Sequence, residues 1–116
     1  MPQEKFIGEL EQMLLLCILQ LRDQAYGTQI RLCLAEQAGR NLSIGALYTT
    51  LERLEQKGML NCRQGEATAE RGGRAKKYFS VTADGVQALQ RSKQALDNLW
   101  QGIVLGSPDT GNRSAS

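Results

Sequence analysis

Residues 43 to 60 constrain the fold more than any other part of the chain, because they predict an amphipathic helix with defined ends. Ser43 is suited to the N-cap, since its hydroxyl can accept a hydrogen bond from a free N–H of the first turn. Gly58 is suited to a left-handed C-terminus. Apolar residues spaced by three and four predict one buried stripe, formed by Ile44, Leu47, Leu51 and Leu54. The opposite face carries hydroxyl groups and cations, at Tyr48, Thr49, Arg53 and Lys57.

Two further helices are predicted ahead of this stretch. The apolar periodicity over residues 8–23 predicts a first helix, and its apolar surface is wide enough to need cover from a partner subunit as well as from its own domain. After a turn at residues 24–27, Thr28 is predicted to cap a second helix that ends at Gly39. A short connection then leads to Ser43, so the second and third helices form a helix-turn-helix.

A basic hairpin is predicted after the third helix. Residues 59–66 and 76–81 read as two short strands, with Phe79 and Val81 on one face of the second. The glycine-rich loop between them carries Arg71 and Arg74, and arginine suits phosphate or a narrow minor groove. The predicted fold is therefore mainly α with a small β-hairpin, a winged helix-turn-helix.

Thr82 is predicted to cap the last helix, which covers residues 83–105. Its apolar stripe is narrow, as in a coiled-coil contact, and predicts a dimerisation helix. The predicted interface with a second copy consists of Leu10, Leu14, Leu89, Leu96, Leu99, Trp100 and Ile103. We therefore divide the chain into a winged helix-turn-helix DNA-binding domain at residues 1–82, the dimerisation helix at 83–105 and a disordered tail at 106–116.

Composition narrows the chemistry of the chain. The net charge is only +2, but residues 40–77 contain eight basic and four acidic side chains, which indicates one anionic contact surface. Histidine is absent and the three cysteines have no CxxC spacing. We therefore expect no metal, no cofactor and no enzymatic activity. Cys17 and Cys33 are expected in the core, and Cys62 is the one candidate for an exposed thiol.

The longest apolar run, residues 13–19, has seven members and is too short to span a membrane, which takes roughly 20 residues. The first residues lack the basic start of a secretion signal. We therefore expect a cytoplasmic protein with reduced thiols and no membrane contact.

The order of these elements, with five short motifs, resembles the PadR-like family of bacterial transcriptional regulators. The motifs are the leucine-rich first helix, Tyr26-Gly27, Ala46-Leu47-Tyr48, residues 73–79 of the hairpin and residues 81–85 after it. The resemblance covers residues 6–99 and implies a homodimer, built through the first and last helices, that binds an inverted-repeat operator, usually as a repressor. It also implies that Tyr48 faces DNA. Thr49 stands where the family often has proline.

The predicted DNA-binding residues form two groups. The first belongs to the third helix and is expected at base edges or nearby backbone: Ser43, Tyr48, Thr49, Thr50 and Arg53. The second group is expected at phosphates: Lys57, Arg71, Arg74, Lys76 and Lys77. Strand alternation predicts that Lys76 and Lys77 point to opposite faces, so that one of them meets DNA. Glu52 and Glu55 would repel phosphate and are expected to turn sideways or to pair with Arg53 or Lys57.

Two questions stay open at this level. The leading hypothesis is a dimeric regulator bound to double-stranded DNA, and the alternative is a winged-helix protein-interaction module without DNA binding, because fold does not fix function. Trp100 suits packing at a dimer interface. A second hypothesis for Trp100 is a pocket in which two symmetry-related rings flank a small, flat aromatic effector.

Overall fold

The computed structural model describes residues 7–65 and 76–106, and within them it shows helices around one core with a two-stranded hairpin at the side. The elements in chain order are α1 (Glu9–Leu21), a 3-10 turn (Arg22–Gln24), α2 (Gly27–Ala38), α3 (Ile44–Gln56), β1 (Leu60–Gln64), β2 (Lys77–Val81) and α4 (Ala83–Trp100). The predicted fold class, mainly α with a small β-hairpin, is confirmed. No helix in the described part of the chain is long and apolar enough to span a membrane.

The local signals for helix ends are mostly confirmed. The Ser43 hydroxyl accepts a hydrogen bond from the Ala46 N–H at 3.1 Å, and Gly39 adopts a left-handed conformation after α2, with φ of 66°. The prediction that Thr28 caps α2 is wrong, because α2 already begins at Gly27 and Tyr26 occupies the N-cap without a side-chain bond. The last helix ends at Trp100, five residues before the predicted end at Leu105.

The start of α4 is held against the turn between α3 and β1. The Thr82 hydroxyl accepts a hydrogen bond from the Gly85 N–H at 3.0 Å and donates one to the Gly58 carbonyl at 2.7 Å. Glycine is needed at position 85, since a Cβ there would lie 2.6 Å from the Met59 carbonyl oxygen. These contacts fix where α4 leaves the winged helix.

The hairpin is the wing, and it is attached to the turn between α1 and α2. Strands β1 and β2 are antiparallel, with Cys62 opposite Phe79. The Phe79 N–H donates a hydrogen bond to the Ala25 carbonyl at 2.8 Å, and Tyr26 forms an isolated bridge with Tyr78. Phe79 is buried while Ser80 is exposed, as the strand alternation predicts.

The core is formed by apolar side chains of every helix and of the wing. From α3 it contains Leu47, Leu51 and Leu54, none of which is exposed to solvent. Ile44 was predicted to share this stripe, and that prediction is wrong, since its side chain is 50% exposed. The reason is its position: it is the first residue of α3, and Leu47 is the first residue of the helix to enter the core.

The predicted dimer residues divide into a buried and an exposed group. Leu14 and Leu89 lie in the core of their own chain, so the prediction that they contact a second copy is wrong. Leu10 is half-buried against the same core. The residues with a large exposed fraction are Leu96, Leu99, Trp100 and Ile103.

Candidate nucleic-acid interface

The first half of α3 presents small and hydroxyl-bearing side chains to solvent. Ser43, Gly45, Ala46 and Thr49 are all exposed, and the first turn contains no acidic residue. A Cβ added to Gly45 would meet nothing within 4 Å, so this surface is open. Short side chains allow another molecule to approach the helix closely, and the hydroxyl groups at its edge can donate or accept hydrogen bonds.

Thr50 does not belong to this surface. Its side chain is 4% exposed, and its hydroxyl donates to the Ala46 carbonyl one turn earlier, at 2.9 Å. The prediction that Thr50 contacts DNA is therefore wrong. Thr50 lies one residue from Thr49, and the helical rotation between neighbours of about 100° moves it from the exposed face to the core side.

Tyr48 fixes one flank of α3 against the wing and the start of α2. Its ring lies 6.4 Å from the Phe79 ring, centroid to centroid, and tilted by 53°. On the other side it covers Gly27, where an added Cβ would collide with the Tyr48 hydroxyl. The Tyr48 side chain is therefore half-buried, with only part of it available to a ligand.

An open groove of about 580 Å³ lies between this flank of α3, the start of α2 and the wing. Its lining residues are Tyr26, Gly27, Thr28, Tyr48, Gln64, Lys76 and Lys77. The Lys76 ammonium lies 4.1 Å from the centre of the Tyr26 ring, a cation–π contact. Both lysines line the same groove, although strand alternation predicted opposite faces; Lys76 precedes β2, which begins at Lys77.

The groove suits an anion. Two exposed ammonium groups lie at its edge, and α2 begins in it with Gly27 and Thr28. The first N–H groups of a helix have no partner within the helix, and its N-terminus carries a partial positive charge. Phosphate groups bind well at such positions.

Arg53 and Lys57 lie on the other flank of α3, against α1. The Arg53 Nε donates to the Glu11 carboxylate at 3.0 Å, and the Lys57 Nζ donates to both carboxylate oxygens at 2.9 and 3.0 Å. The predicted pairing with Glu52 or Glu55 is thus replaced by bonds to Glu11. This acid lies 42 residues before Arg53 and 46 residues before Lys57 in the chain. Both cations were predicted to contact DNA; in the structure each of them is bonded to this carboxylate.

Glu11 is the one buried acid in the described part of the chain. Besides the two cations, the Gly8 N–H donates to its carboxylate at 2.9 Å. Burial raises the pKa of Glu11, but the hydrogen bonds from Gly8, Lys57 and Arg53 outweigh it, so that the pKa lies below its ordinary value of 4.5. Sequence reasoning missed this residue, although Glu11 shares the helical spacing of Leu14 and Leu15 and stands three residues after the N-cap.

The remaining predicted residues add little to the site. Arg71 and Arg74 lie outside the described residues. Cys17 and Cys33 are buried, and burial next to the Cys33 thiol raises the pKa of Cys17 to about 12. Burial, followed by the nearby Glu55 carboxylate, raises the pKa of Cys62. A reactive thiolate needs the opposite environment, so Cys62 is not an activated thiol.

The fold and this interface define a winged helix-turn-helix protein. Residues 15–91, more than half of the chain, match the model of the transcriptional regulator PadR-like family. The chain belongs to that family, as the resemblance noted from the sequence indicated.

Proteins similar to this chain come from several bacteria and include solved structures. A PadR family transcription regulator from Clostridium difficile R20291 is 25% identical, with a TM-score of 0.63 over 78% of this chain and 91% of the other. The PadR family transcriptional regulator from Eggerthella lenta DSM 2243 is 28% identical, with a TM-score of 0.61 over 81% of each chain. The transcriptional regulator Rv3488 of Mycobacterium tuberculosis is 35% identical over 72 residues, which are 62% of this chain and 64% of that protein. The match thus spans less than two thirds of that relative.

Replacing Glu11 by alanine should lower the free energy of unfolding at pH 7 by about 1.5–3 kcal/mol, the range for hydrogen bonds to a charged group. The lower end is favoured, because Arg53 and Lys57 are partly exposed. The pKa of Glu11 is lower in the folded than in the unfolded state. Its contribution is therefore present above the unfolded value of 4.5 and is lost as the pH falls through the folded value.

Urea unfolding at pH 7 and at several pH values below 4.5 measures this difference. The matched control is Glu9→Ala on the same helix, whose side chain is 78% exposed and should change stability by less than about 0.5 kcal/mol. A difference between wild type and Glu11→Ala that stays constant through the acid range would contradict the assignment.

Proposed function

We propose that the chain is a transcriptional regulator that binds double-stranded DNA as a homodimer, with α3 as its recognition helix. The observation that carries the proposal is the pairing of two surfaces: the small, hydroxyl-bearing first half of α3 lies beside a groove edged by Lys76 and Lys77. In helix-turn-helix proteins the first residues of the second helix contact base edges in the major groove. This role places the protein in the cytoplasm.

Base contacts come from the exposed start of α3. Gly45 and Ala46 allow the helix backbone to approach the floor of the major groove, while Ser43 and Thr49 offer hydroxyl groups and a methyl group to base edges. Glu52 and Glu55 are exposed in the second half of α3. Their charge repels phosphates there and favours an arrangement in which the helix enters the groove with its N-terminal half.

Phosphate contacts come from the groove beside Tyr48. Lys76, Lys77 and the N-terminus of α2 supply positive charge within one concave surface. Arg71 and Arg74, at the tip of the wing in the sequence, are proposed to extend these contacts along the duplex. Contacts of this kind position the protein and supply affinity, whereas the residues of α3 supply selectivity.

The exposed end of α4 and the residues that directly follow it support a second copy as partner. Leu96, Leu99, Trp100 and Ile103 lie within eight positions of each other and remain between 49% and 74% exposed. On α1, Leu16 and Leu19 are also exposed. A two-fold dimer that covers these side chains presents two copies of α3, which matches the inverted-repeat operator that the family resemblance implies. The repressor role is proposed on the resemblance alone. A flat aromatic effector between two Trp100 rings stays a prediction from the sequence.

One observation favours the alternative, a winged-helix module that binds protein. Ile44 at the start of α3 and Leu32 on α2 are 50% and 47% exposed, and exposed apolar side chains mark protein contacts when they are contiguous. Against this, an apolar side chain at the start of a recognition helix also suits the methyl group of thymine. DNA binding separates the two functions directly.

Thr49→Glu should weaken binding to an operator by at least about tenfold, because a carboxylate in the major groove is repelled by the phosphates on both sides. The measurement is a mobility-shift titration on the duplex upstream of the protein's own gene. Gln87→Glu on α4, with the same charge change on an exposed residue, and Thr50→Val, a change at a buried residue, should both leave affinity within about twofold. If the wild-type protein shifts neither this duplex nor random DNA at low salt, the result contradicts DNA binding and favours the protein-binding function.

Replacing both Arg71 and Arg74 by glutamine should weaken binding to operator and random duplexes by similar factors, because phosphate contacts carry no sequence information. It should also flatten the plot of log K against log salt concentration by about 2 per protomer, close to 0.9 for each lost phosphate contact. Fluorescence anisotropy across a salt series measures both effects. An unchanged slope would contradict a contact of the wing with DNA.

Leu99→Lys should raise the dissociation constant of the dimer at least about tenfold, because it places a charge in an apolar contact. Leu99 is 74% exposed in the single chain, so the helix itself should keep its stability. Sedimentation equilibrium measures the dimer, with Leu32→Lys on α2 as the matched control that keeps it. A dimer of unchanged affinity would show that α4 does not form the interface.

A further inference from the structure

Glu11 joins the first helix to the far half of the recognition helix through ionic hydrogen bonds. Its side chain is 7% exposed, whereas its partners Arg53 and Lys57 are 49% and 30% exposed. The carboxylate is also held from its own helix by the Gly8 N–H. The anion is therefore fixed inside the protein, and the two long cationic side chains are drawn from the surface toward it.

The helical spacing of α3 shows what this does to its outer face. The exposed residues Gly45, Thr49, Glu52 and Gln56 follow one another at spacings of four, three and four and form the side turned away from the core. Arg53 and Lys57 lie four residues apart on the flank of that face, next to α1. Arginine and lysine stems are long enough to bend either toward the outer face or away from it, and Glu11 takes them away.

This arrangement matters because phosphate attraction does not distinguish sequences. Each cation that reaches a phosphate strengthens binding to every duplex and adds to the salt dependence. In the second half of α3, Glu52 and Glu55 are exposed, and the cations that could offset them are bonded to Glu11. That half of the helix is therefore left with a surface unfavourable to phosphate.

We propose that Glu11 is a positioning residue for DNA recognition: by binding Arg53 and Lys57 it withholds their charge from the duplex and limits non-specific binding. The proposal rests on the DNA-binding function above. Under this proposal the Glu11 carboxylate, which lies on α1 and touches no base, determines the ratio between operator and random-duplex affinity. The three ionic hydrogen bonds also fix the second half of α3 to α1, which holds α3 at one angle to that helix.

The test compares Glu11→Gln with wild type on a fluorescent random duplex, by anisotropy across a salt series. Glutamine keeps an oxygen for the Gly8 N–H and removes the charge that holds the cations. The slope of log K against log salt concentration should steepen by about 1–2 per protomer, close to 0.9 for each released cation that reaches a phosphate, and random-duplex affinity should rise several-fold at low salt. The ratio of operator to random affinity should fall. Glu36→Gln on α2 changes the net charge equally at an exposed residue and should leave the slope within error.

A second set of variants separates positioning from general stability. Arg53→Gln and Lys57→Gln added to Glu11→Gln should return the slope to the wild-type value, which a merely loosened fold would not do. In the wild-type background, Arg53→Gln alone should leave the slope unchanged. If Glu11→Gln fails to fold, the slope of this single variant tests the proposal by itself. A flatter slope for Arg53→Gln, or an unchanged slope for folded Glu11→Gln, overturns the proposal. Wild-type protein that binds no duplex would instead refute the proposed function itself.

Discussion

Burial of Leu47, Leu51 and Leu54 against α1 and α2 is the constraint on which the interface depends. These three side chains are wholly removed from water, and burying one leucine is worth about 1.5–3 kcal/mol. Once this stripe faces the core, the rotation of α3 about its axis is fixed. Every other side chain of the helix then has an assigned direction: Thr49 outward, Thr50 inward, and Tyr48 and Arg53 on opposite flanks.

The two flanks of α3 are held in different ways. Tyr48 packs between Gly27 and Phe79, so that α3, the start of α2 and the wing share one surface on that side. Because β2 is also bonded to Ala25, Lys76 and Lys77 have defined positions relative to the first half of α3. The Arg53 flank is held by a buried charge instead. Lys76 and Lys77 are thus exposed beside the wing, whereas Arg53 and Lys57 are bonded to Glu11 beside α1.

The sequence predicts features that depend on neighbouring residues better than features that depend on distant ones. The hydroxyl caps at Ser43 and Thr82 and the left-handed Gly58 were all predicted, because each bond joins residues at most five positions apart. The burial of Thr50 and the exposure of Ile44 depend on where the core ends. The apolar periodicity of the α3 sequence does not specify that boundary. The partner of Arg53 was assigned within α3 by helical spacing, whereas the bond that forms crosses 42 residues.

The bonds of Glu11 to Arg53 and Lys57 show what an ion pair contributes to a small core. A buried ion pair costs desolvation energy and contributes little net stability compared with apolar side chains. Its advantage is directional, since Glu11 accepts bonds from Gly8, Arg53 and Lys57 in a geometry that apolar packing would leave loose. α1 carries the exposed Leu16 and Leu19 that a second copy would cover. The same helix therefore joins the proposed dimer contact to the recognition helix, and the Glu11 bonds make the angle of α3 depend on the position of α1.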